Sequence, residues 1–132
     1  MNKKTALIKD YMSWTPHTIG LDIPISTAKK MMREYHVRHL PVLSRGKLVG
    51  VVSERNVTEG LMTKGGENFT VDDIMTPDPF AVDWETSLAD VVEGMADEKY
   101  GCAIIEDKAN RAIGIFTTVD ACRALNGLLE AK

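Results

Sequence analysis

Several residue types are scarce in this sequence of 132 residues, and each scarcity argues against a class of protein. Only two cysteines occur, Cys102 and Cys122, too few for a disulfide framework and without metal-ligand spacing. Aromatic residues make up 6% of the chain, so we do not expect a stacking platform for nucleic acid. No apolar run approaches the roughly 18 residues of a membrane span. We therefore expect a cytoplasmic protein with free, buried thiols and with neither membrane nor nucleic-acid partners.

The sequence also lacks the patterns that identify enzymes. It contains no Ser-His-Asp arrangement, metal-ligand spacing or phosphate-binding glycine loop. Its three histidines, His17, His36 and His39, lie in the first half without the i,i+4 spacing of a helical ligand pair. We expect no catalytic residue, no metal site and no required cofactor, and so a protein that is not an enzyme.

Charge is divided unevenly along the chain. Residues 1–64 carry a net charge of +6 and residues 65–132 carry −9. No basic run exceeds two consecutive residues, which argues against a nucleic-acid patch. Three interpretations stay open: differently charged solvated faces, an anion site supplied by the first half, or charge-complementary packing between chains.

An internal repeat is the strongest positive signal. At an offset of 63 residues Ile8–Ser13 aligns with Val71–Thr76, and after one extra residue Gly50 aligns with Gly114. The apolar rhythm stays in register throughout. The sequence therefore predicts two copies of one supersecondary unit, residues 1–66 and 67–132, that together form one structural module.

Both repeats predict the same order of elements: a lead-in helix, a short strand, a helix, a hairpin and a closing helix. Ser26 and Ser87 occupy N-cap positions before amphipathic stretches. Paired apolar runs across short polar turns predict the hairpins, at 39–43 with 48–52 and at 102–105 with 112–116. Closing helices are predicted at about 54–62 and 118–128. The predicted fold is α/β (α+β), each repeat having a three-stranded sheet and two main helices, packed with pseudo-two-fold symmetry to cover an apolar sheet face.

Each hairpin ends in a strand that turns directly into a helix, in the stretches Gly50–Asn56 and Gly114–Asp120. Thr117 and Asp120 lie at the N-terminus of the second of these helices, which we call the helix mouth. There, free N–H groups and the helix dipole favour a phosphate. A carboxylate at that position can accept both hydroxyls of a ribose. The same spacing is also that of a helix capping box, so both interpretations stay open. The first repeat has Asn56 instead of an acid, and an amide lacks the charge that strengthens such hydrogen bonds.

With these stretches the chain resembles the cystathionine-β-synthase (CBS) domain pair, in its stand-alone two-repeat form. The matching segments are the two strand-to-helix stretches together with Met12–Ser13, Met75–Pro77, Arg38–Val42 and Tyr100–Ile104. The resemblance implies a non-catalytic regulatory module that binds AMP, ADP, ATP or S-adenosylmethionine in the cleft between the repeats. It also implies a homodimer that signals to an unidentified protein partner. The alternative is a ligand-free dimeric scaffold for protein interactions.

The resemblance also implies roles for individual residues. The ribose is expected on Asp120, the phosphate on Thr117 and the base against the strands. The expected ligand contacts are Thr117, Asp120, Tyr100, Cys102, Ala103, Ala81, Val82, Arg38 and His39. A weaker second cleft is expected at Ser53, Asn56, Thr18, Ile19 and Pro41.

Some of these residues can also be explained by a structural role without a ligand. Arg38 and His39 are expected to reach a phosphate, but a basic strand edge also discourages aggregation. His39 titrates near neutrality, which could make binding depend on pH. Small residues such as Ala103 leave room for a flat ring, yet apolar strand residues are equally expected in a core.

Overall fold

The computed structural model describes residues 5–131, which divide into two compact units. One unit combines residues 5–15 with residues 80–131, and we call it the split unit. The other consists of residues 16–79, and we call it the central unit. The units are defined by packing, whereas the repeat bounds 1–66 and 67–132 describe the register of the sequence. Residues 1–4 and 132 of those ranges lie outside the described part.

The elements follow one another as two similar series. The strands are β1 Ser13–Trp14, β2 Ile19–Gly20, β3 His39–Ser44, β4 Lys47–Ser53, β5 Thr76–Pro77, β6 Ala81–Asp83, β7 Cys102–Glu106 and β8 Ala112–Thr117. The helices are α1 Ile25–Tyr35, α2 Glu54–Met62, α3 Val71–Ile74, α4 Leu88–Glu98 and α5 Thr118–Glu130. Short 3₁₀ turns span Ile8–Asp10 and Gly66–Asn68. The mixed α/β fold class is confirmed, and α2 has the predicted bounds.

Each unit contains one mixed sheet of four strands. The central sheet has the order β2-β3-β4-β5 and the split sheet the order β1-β8-β7-β6. In the central sheet β2 runs parallel to β3, and in the split sheet β6 runs parallel to β7; β3 with β4 and β7 with β8 then form the predicted antiparallel hairpins. The fourth strand was not predicted. It is only two residues long in each sheet, too short for any hydrophobic periodicity to indicate it.

The first segment of each repeat, which we call its lead-in, packs against the remaining residues of the other repeat. Ser13 of β1 pairs with Ile115, and Thr76 of β5 pairs with Val51. The core of the split unit combines Ile8 and Met12 with residues of α4, β7, β8 and α5: Leu88, Val91, Met95, Ala103, Ile105, Phe116 and Ala124. The core of the central unit combines Val71 with Ile19, Ala28, Met32, Leu40, Val42, Val52 and Val57. Both sheets therefore need a segment distant in sequence to complete their cores.

One predicted helix cap is correct and one is wrong. The hydroxyl of Ser87 accepts a hydrogen bond from the Asp90 N–H at 3.0 Å, as an N-cap should. Ser26 instead lies inside the first turn of α1, which begins at Ile25 behind Pro24 without a side-chain cap. The Ile25 N–H donates to the carbonyl oxygen of Phe69 at 3.1 Å. This contact, remote in sequence, satisfies a free N–H of the helix end and makes a serine cap unnecessary.

The prediction of buried thiols is correct for one cysteine only. Cys102 is buried in β7, whereas Cys122 is exposed on α5. Position on an amphipathic helix decides burial, and Cys122 lies away from Ala124, the buried residue of that helix. No helix within residues 5–131 is long and apolar enough to cross a membrane.

Candidate functional site

The mouth of α5 brings Thr117 and Asp120 together as a capping box. Thr117 ends β8, and its hydroxyl oxygen accepts from the Asp120 N–H at 3.4 Å. Asp120 Oδ2 accepts from the Thr117 N–H at 2.9 Å and from the Thr117 hydroxyl at 3.2 Å. The box satisfies N–H groups that the start of a helix leaves free. In this structure the two side chains therefore adopt the capping-box arrangement.

The second carboxylate oxygen of Asp120, Oδ1, takes no part in the helix cap. Asp120 Oδ1 makes an ionic contact with Arg123 at 3.7 Å, longer than a charge-assisted hydrogen bond. The Asp120 side chain is 12% exposed, whereas that of Arg123 is 78% exposed. Arg123 was absent from the sequence prediction, although its i,i+3 spacing from Asp120 pointed to such a pair. A partly buried carboxylate therefore keeps one oxygen available for hydroxyl donors, with an adaptable guanidinium beside it.

The mouth of α2 in the central unit repeats this geometry with an amide. The Ser53 hydroxyl accepts from the Asn56 N–H at 3.0 Å, and Asn56 Oδ1 accepts from the Ser53 N–H at 2.9 Å. Both side chains are half-buried. The amide has a single oxygen, already used by the cap, and its remaining atom is an NH₂ donor. The site at Asn56 consequently offers a weaker acceptor to a diol than the one at Asp120.

Strand neighbours surround the α5 mouth in the split unit. Cys102 is the register partner of Thr117, and the Thr118 N–H donates to the carbonyl oxygen of Gly101 at 3.2 Å. Burial raises the pKa of Cys102 to about 12, so the thiol stays protonated and apolar in character. The ring of Tyr100 stacks on that of Phe80 with centroids 5.1 Å apart.

The other expected base contacts differ in accessibility. Ala103 is fully buried in the core, so its side chain presents no free surface. Ala81 and Val82 are half-buried in β6, beside Ile104 and Ile105 of β7. Among the expected base contacts, Cys102 is thus the register partner of Thr117, whereas Ala103 belongs to the packing of the sheet.

Arg38 and His39 lie in the central unit, next to the α2 mouth. His39 is the register partner of Ser53, and the Glu54 N–H donates to the carbonyl oxygen of Arg38 at 2.8 Å. Burial, and secondly the Arg38 guanidinium, hold the pKa of His39 below 6.5, against an opposing effect of Glu54. His39 is therefore neutral at pH 7, and Arg38 is the cation at this position. Arg38 is exposed and forms no ion pair with any residue of 5–131.

The remaining residues of the expected second cleft support the sheet. Ile19 of β2 pairs with Val42 and is 5% exposed, and Pro41 is fully buried in β3. Thr18, just before β2, is half-buried. Across the described residues, no group of three or more histidine, cysteine, aspartate or glutamate side chains could hold a metal ion.

Comparison with known proteins places the chain among multi-domain relatives. L-aspartate semialdehyde sulfurtransferase of Methanocaldococcus jannaschii is 27% identical over 128 residues, covering 96% of this chain but 25% of that enzyme. Inosine-5'-monophosphate dehydrogenase of Korarchaeum cryptofilum is 31% identical over 103 residues, covering 78% of this chain and 21% of the enzyme. The chain thus spans a quarter or less of the length of these two curated relatives.

Solved structures match nearly the whole chain. The CBS domain pair of protein MJ0100, crystallised in complex with 5-methylthioadenosine and S-adenosyl-L-methionine, has a TM-score of 0.87 and 26% identity, covering 94% of this chain and 98% of that one. CBSX2 in complex with AMP has a TM-score of 0.82 and 25% identity, covering 95% and 99%. The family model for the CBS domain matches residues 8–63 and again residues 71–127. With two matched repeats, two similar sheets and two similar helix mouths, the chain belongs to the CBS domain family.

Proposed function

We propose that this chain is a non-catalytic regulatory module of the cytoplasm that binds an adenosyl ligand at the α5 mouth and signals its state to a protein partner. The ligand is AMP, ADP, ATP or S-adenosylmethionine, held as a regulatory ligand and not as a cofactor. The observation that carries the proposal is the half-buried Thr117–Asp120 pair, with one carboxylate oxygen held by the helix cap and the other held only by a 3.7 Å ionic contact with the exposed Arg123.

The chemistry of the pair suits a nucleoside. Two vicinal ribose hydroxyls can donate to Asp120 Oδ1, and the positive dipole end of α5 with the Thr117 hydroxyl suits a phosphate or a carboxylate. Two similar structures were solved with adenosyl compounds bound. The enzymes among the relatives match this chain over a quarter of their length or less, which supports a module separable from catalysis.

The test is a titration of AMP, ADP, ATP and S-adenosylmethionine, with GTP for comparison, read by calorimetry and thermal unfolding. A ligand at about 100 times its dissociation constant adds roughly 2.7 kcal/mol to the free energy of unfolding. The informative variant is Asp120→Asn, because Asn56 shows that an asparagine preserves the cap. We expect Asp120→Asn to keep the unliganded midpoint and to lose at least about tenfold in affinity, about 1.4 kcal/mol.

Asp90→Asn is the matched control. Asp90 occupies the same third position of a capped helix, in α4, but it is exposed and outside the proposed site. It should bind ligand like the wild type. If no adenosyl compound binds, or if Asp120→Asn binds as tightly as Asp90→Asn, the proposal fails. The ligand-free scaffold would then be favoured.

We also propose that the module is a homodimer formed through α5. Leu125, Leu128 and Leu129 follow the i, i+3, i+4 spacing of one helix face and are 56%, 58% and 67% exposed. Exposed apolar faces of this kind mark interaction surfaces.

Leu125→Glu with Leu128→Glu should convert a dimer into a monomer in light scattering. Met62→Glu, at an 82% exposed position on α2, should leave the dimer intact. A wild type that is monomeric at all concentrations would refute this proposal.

A further inference from the structure

A groove of about 530 Å³ lies at the end of the split sheet opposite to the α5 mouth. It is lined by the end of β6 and by the turn between β7 and β8. Its volume is within the range of about 300–1,000 Å³ typical of small-molecule sites. The lining mixes apolar side chains, such as Val82 and Ile113, with several charged ones, so it offers both packing and polar recognition.

Two carboxylates lie side by side in this groove. Asp83 and Glu106 are register partners in the parallel pair β6 and β7, so their side chains leave the same face of the sheet one strand apart. Glu106 Oε2 is buried without a hydrogen-bond partner among the described residues. Burying a charged oxygen without a donor is costly, so the groove is suited to a ligand that supplies one.

The cations near the groove do not reach Glu106. Arg111 pairs with Asp107 at 2.9 Å, and hydrogen bonds from Arg111 lower the pKa of Asp107. Lys9 pairs with Glu85 at 3.8 Å and lies 5.4 Å from the centre of the Trp84 ring. Lys108 forms no ion pair within residues 5–131. The adjacent carboxylates of Asp83 and Glu106 are therefore not neutralised by this chain's own side chains.

The central unit shows that the fold does not require these acids. In the matching strand pair β2 and β3, the register partners are Gly20 and Leu43, in the places of Asp83 and Glu106. Sequence register likewise puts Leu21 in the place of Trp84. Trp84 is 45% exposed, and its ring packs edge-on against that of Trp14 with the centroids 6.1 Å apart. The split unit thus has two acids and a tryptophan where the central unit has a glycine and two leucines.

We propose that this groove is a second ligand site, which binds a small organic ammonium ion with an apolar body. The ammonium would donate to Glu106 and Asp83, and the apolar body would lie against Trp84, Val82 and Ile113. Carboxylates accept strong charge-assisted hydrogen bonds from an ammonium ion, and an aromatic ring attracts organic cations. A metal ion fits less well, since the described residues offer no cluster of three metal-ligating side chains here. The inference does not rest on the proposed adenosyl site.

The test uses Trp84 as the reporter in a Trp14→Phe background, because Trp14 is the only other tryptophan. The probes are 2-phenylethylamine and n-butylamine, compared with 2-phenylethanol, a neutral molecule of nearly the same shape as the first amine. We expect a saturable change in Trp84 fluorescence with the amines. The alcohol should bind at least about tenfold more weakly, because it lacks the charge that strengthens the hydrogen bonds.

Glu106→Gln should weaken amine binding at least about tenfold, since an amide attracts the cation far less than a carboxylate. Glu106→Leu copies the residue of the central unit and should abolish binding while the protein stays folded. Glu98→Gln, at an exposed position on α4, is the matched control and should change nothing. AMP binding should be the same in all three variants, which separates this site from the adenosyl site. Equal affinity for amine and alcohol, no response to either amine, or unchanged binding in folded Glu106→Gln would each overturn the proposal.

Discussion

The glycine in each strand-to-helix stretch makes room for the segment that pairs with its strand. A Cβ atom on Gly50 would lie 2.8 Å from the carbonyl oxygen of Thr76 and 2.7 Å from the sulfur of Met75. A Cβ atom on Gly114 would lie closest to the side chain of Met12. These contacts lie beside the antiparallel pairs that β5 forms with β4 and β1 forms with β8. The repeat of the glycine in sequence therefore records a close approach of a methionine side chain in both units, joined at Gly50 by a backbone oxygen.

Gly50→Ala should destabilise the protein by about 1–3 kcal/mol, the usual cost of overpacking a fixed contact. A backbone oxygen cannot move aside as the end of a flexible side chain can. Gly127→Ala is the control, because its Cβ would meet nothing within 4 Å. In helix α5 that change should stabilise by up to about 1 kcal/mol. Urea unfolding of both variants decides the matter, and equal effects of the two would contradict this account of Gly50.

His39 should make stability depend on pH. Its folded pKa lies below 6.5, so the folded state binds the proton less readily than the unfolded chain. The stability that neutral His39 contributes is complete above pH 6.5 and is lost as the pH falls from there toward the folded pKa. His39→Gln should flatten this part of the profile. Unfolding free energies measured by urea titration between pH 8 and pH 5 test it, and parallel profiles for both proteins would refute it.

At the scale of the element, helix starts differ in what satisfies their free N–H groups. Helices α2 and α5 begin with reciprocal capping boxes, α4 with a serine hydroxyl, and α1 with a backbone contact from Phe69. A cap residue in the sequence matters only where its hydroxyl faces those N–H groups. Ser26 and Ser87 look alike in sequence, and only Ser87 has this role.

The two serines provide a direct comparison. Ser87→Ala should cost about 1 kcal/mol of stability, because the Asp90 N–H loses its acceptor. Ser26→Ala should be neutral or slightly stabilising, since alanine has the higher helix propensity and Ser26 is exposed. Thermal unfolding midpoints of the two variants measure the difference. A loss for Ser26→Ala as large as for Ser87→Ala would show that α1 depends on a serine cap after all.

At the scale of the molecule, each unit depends on the lead-in segment of the repeat whose remaining residues form the other unit. Ile8 and Val71 align in the repeat, and both are fully buried, Ile8 in the split core and Val71 in the central core. Neither sheet has its complete core without its lead-in. The two repeats are consequently linked in folding, even though each unit has its own hydrophobic cluster.

Truncating these two residues tests that dependence. Ile8→Ala should cost about 2–5 kcal/mol, as for other buried isoleucines, and should lower amide-exchange protection first in β7 and β8. Val71→Ala should lower protection first in β3 and β4. Each variant is the control for the other. If Ile8→Ala instead affected β3 and β4 first, the assignment of the lead-ins to the two cores would be wrong.

Sequence reasoning reached the family, the repeat, the hairpins and the bounds of α2, because these depend on local signals. Apolar periodicity fixes helices and strands, and the register between two copies makes weak motifs such as Thr117–Asp120 recognisable. It also identified Ser87 as a cap. The same reasoning failed for Ser26 and for burial of Cys122, where a remote backbone contact and the orientation of a helix decide.

What the sequence by itself determined is therefore the kind of protein and the residues of its helix mouths. Only the tertiary structure decided which lead-in completes which sheet, since two-residue strands such as β1 and β5 carry no periodicity. It also decided that Asp83 and Glu106 become neighbours with a buried, unpartnered oxygen. They are 23 residues apart in the chain, and only the parallel pairing of β6 with β7 brings them side by side.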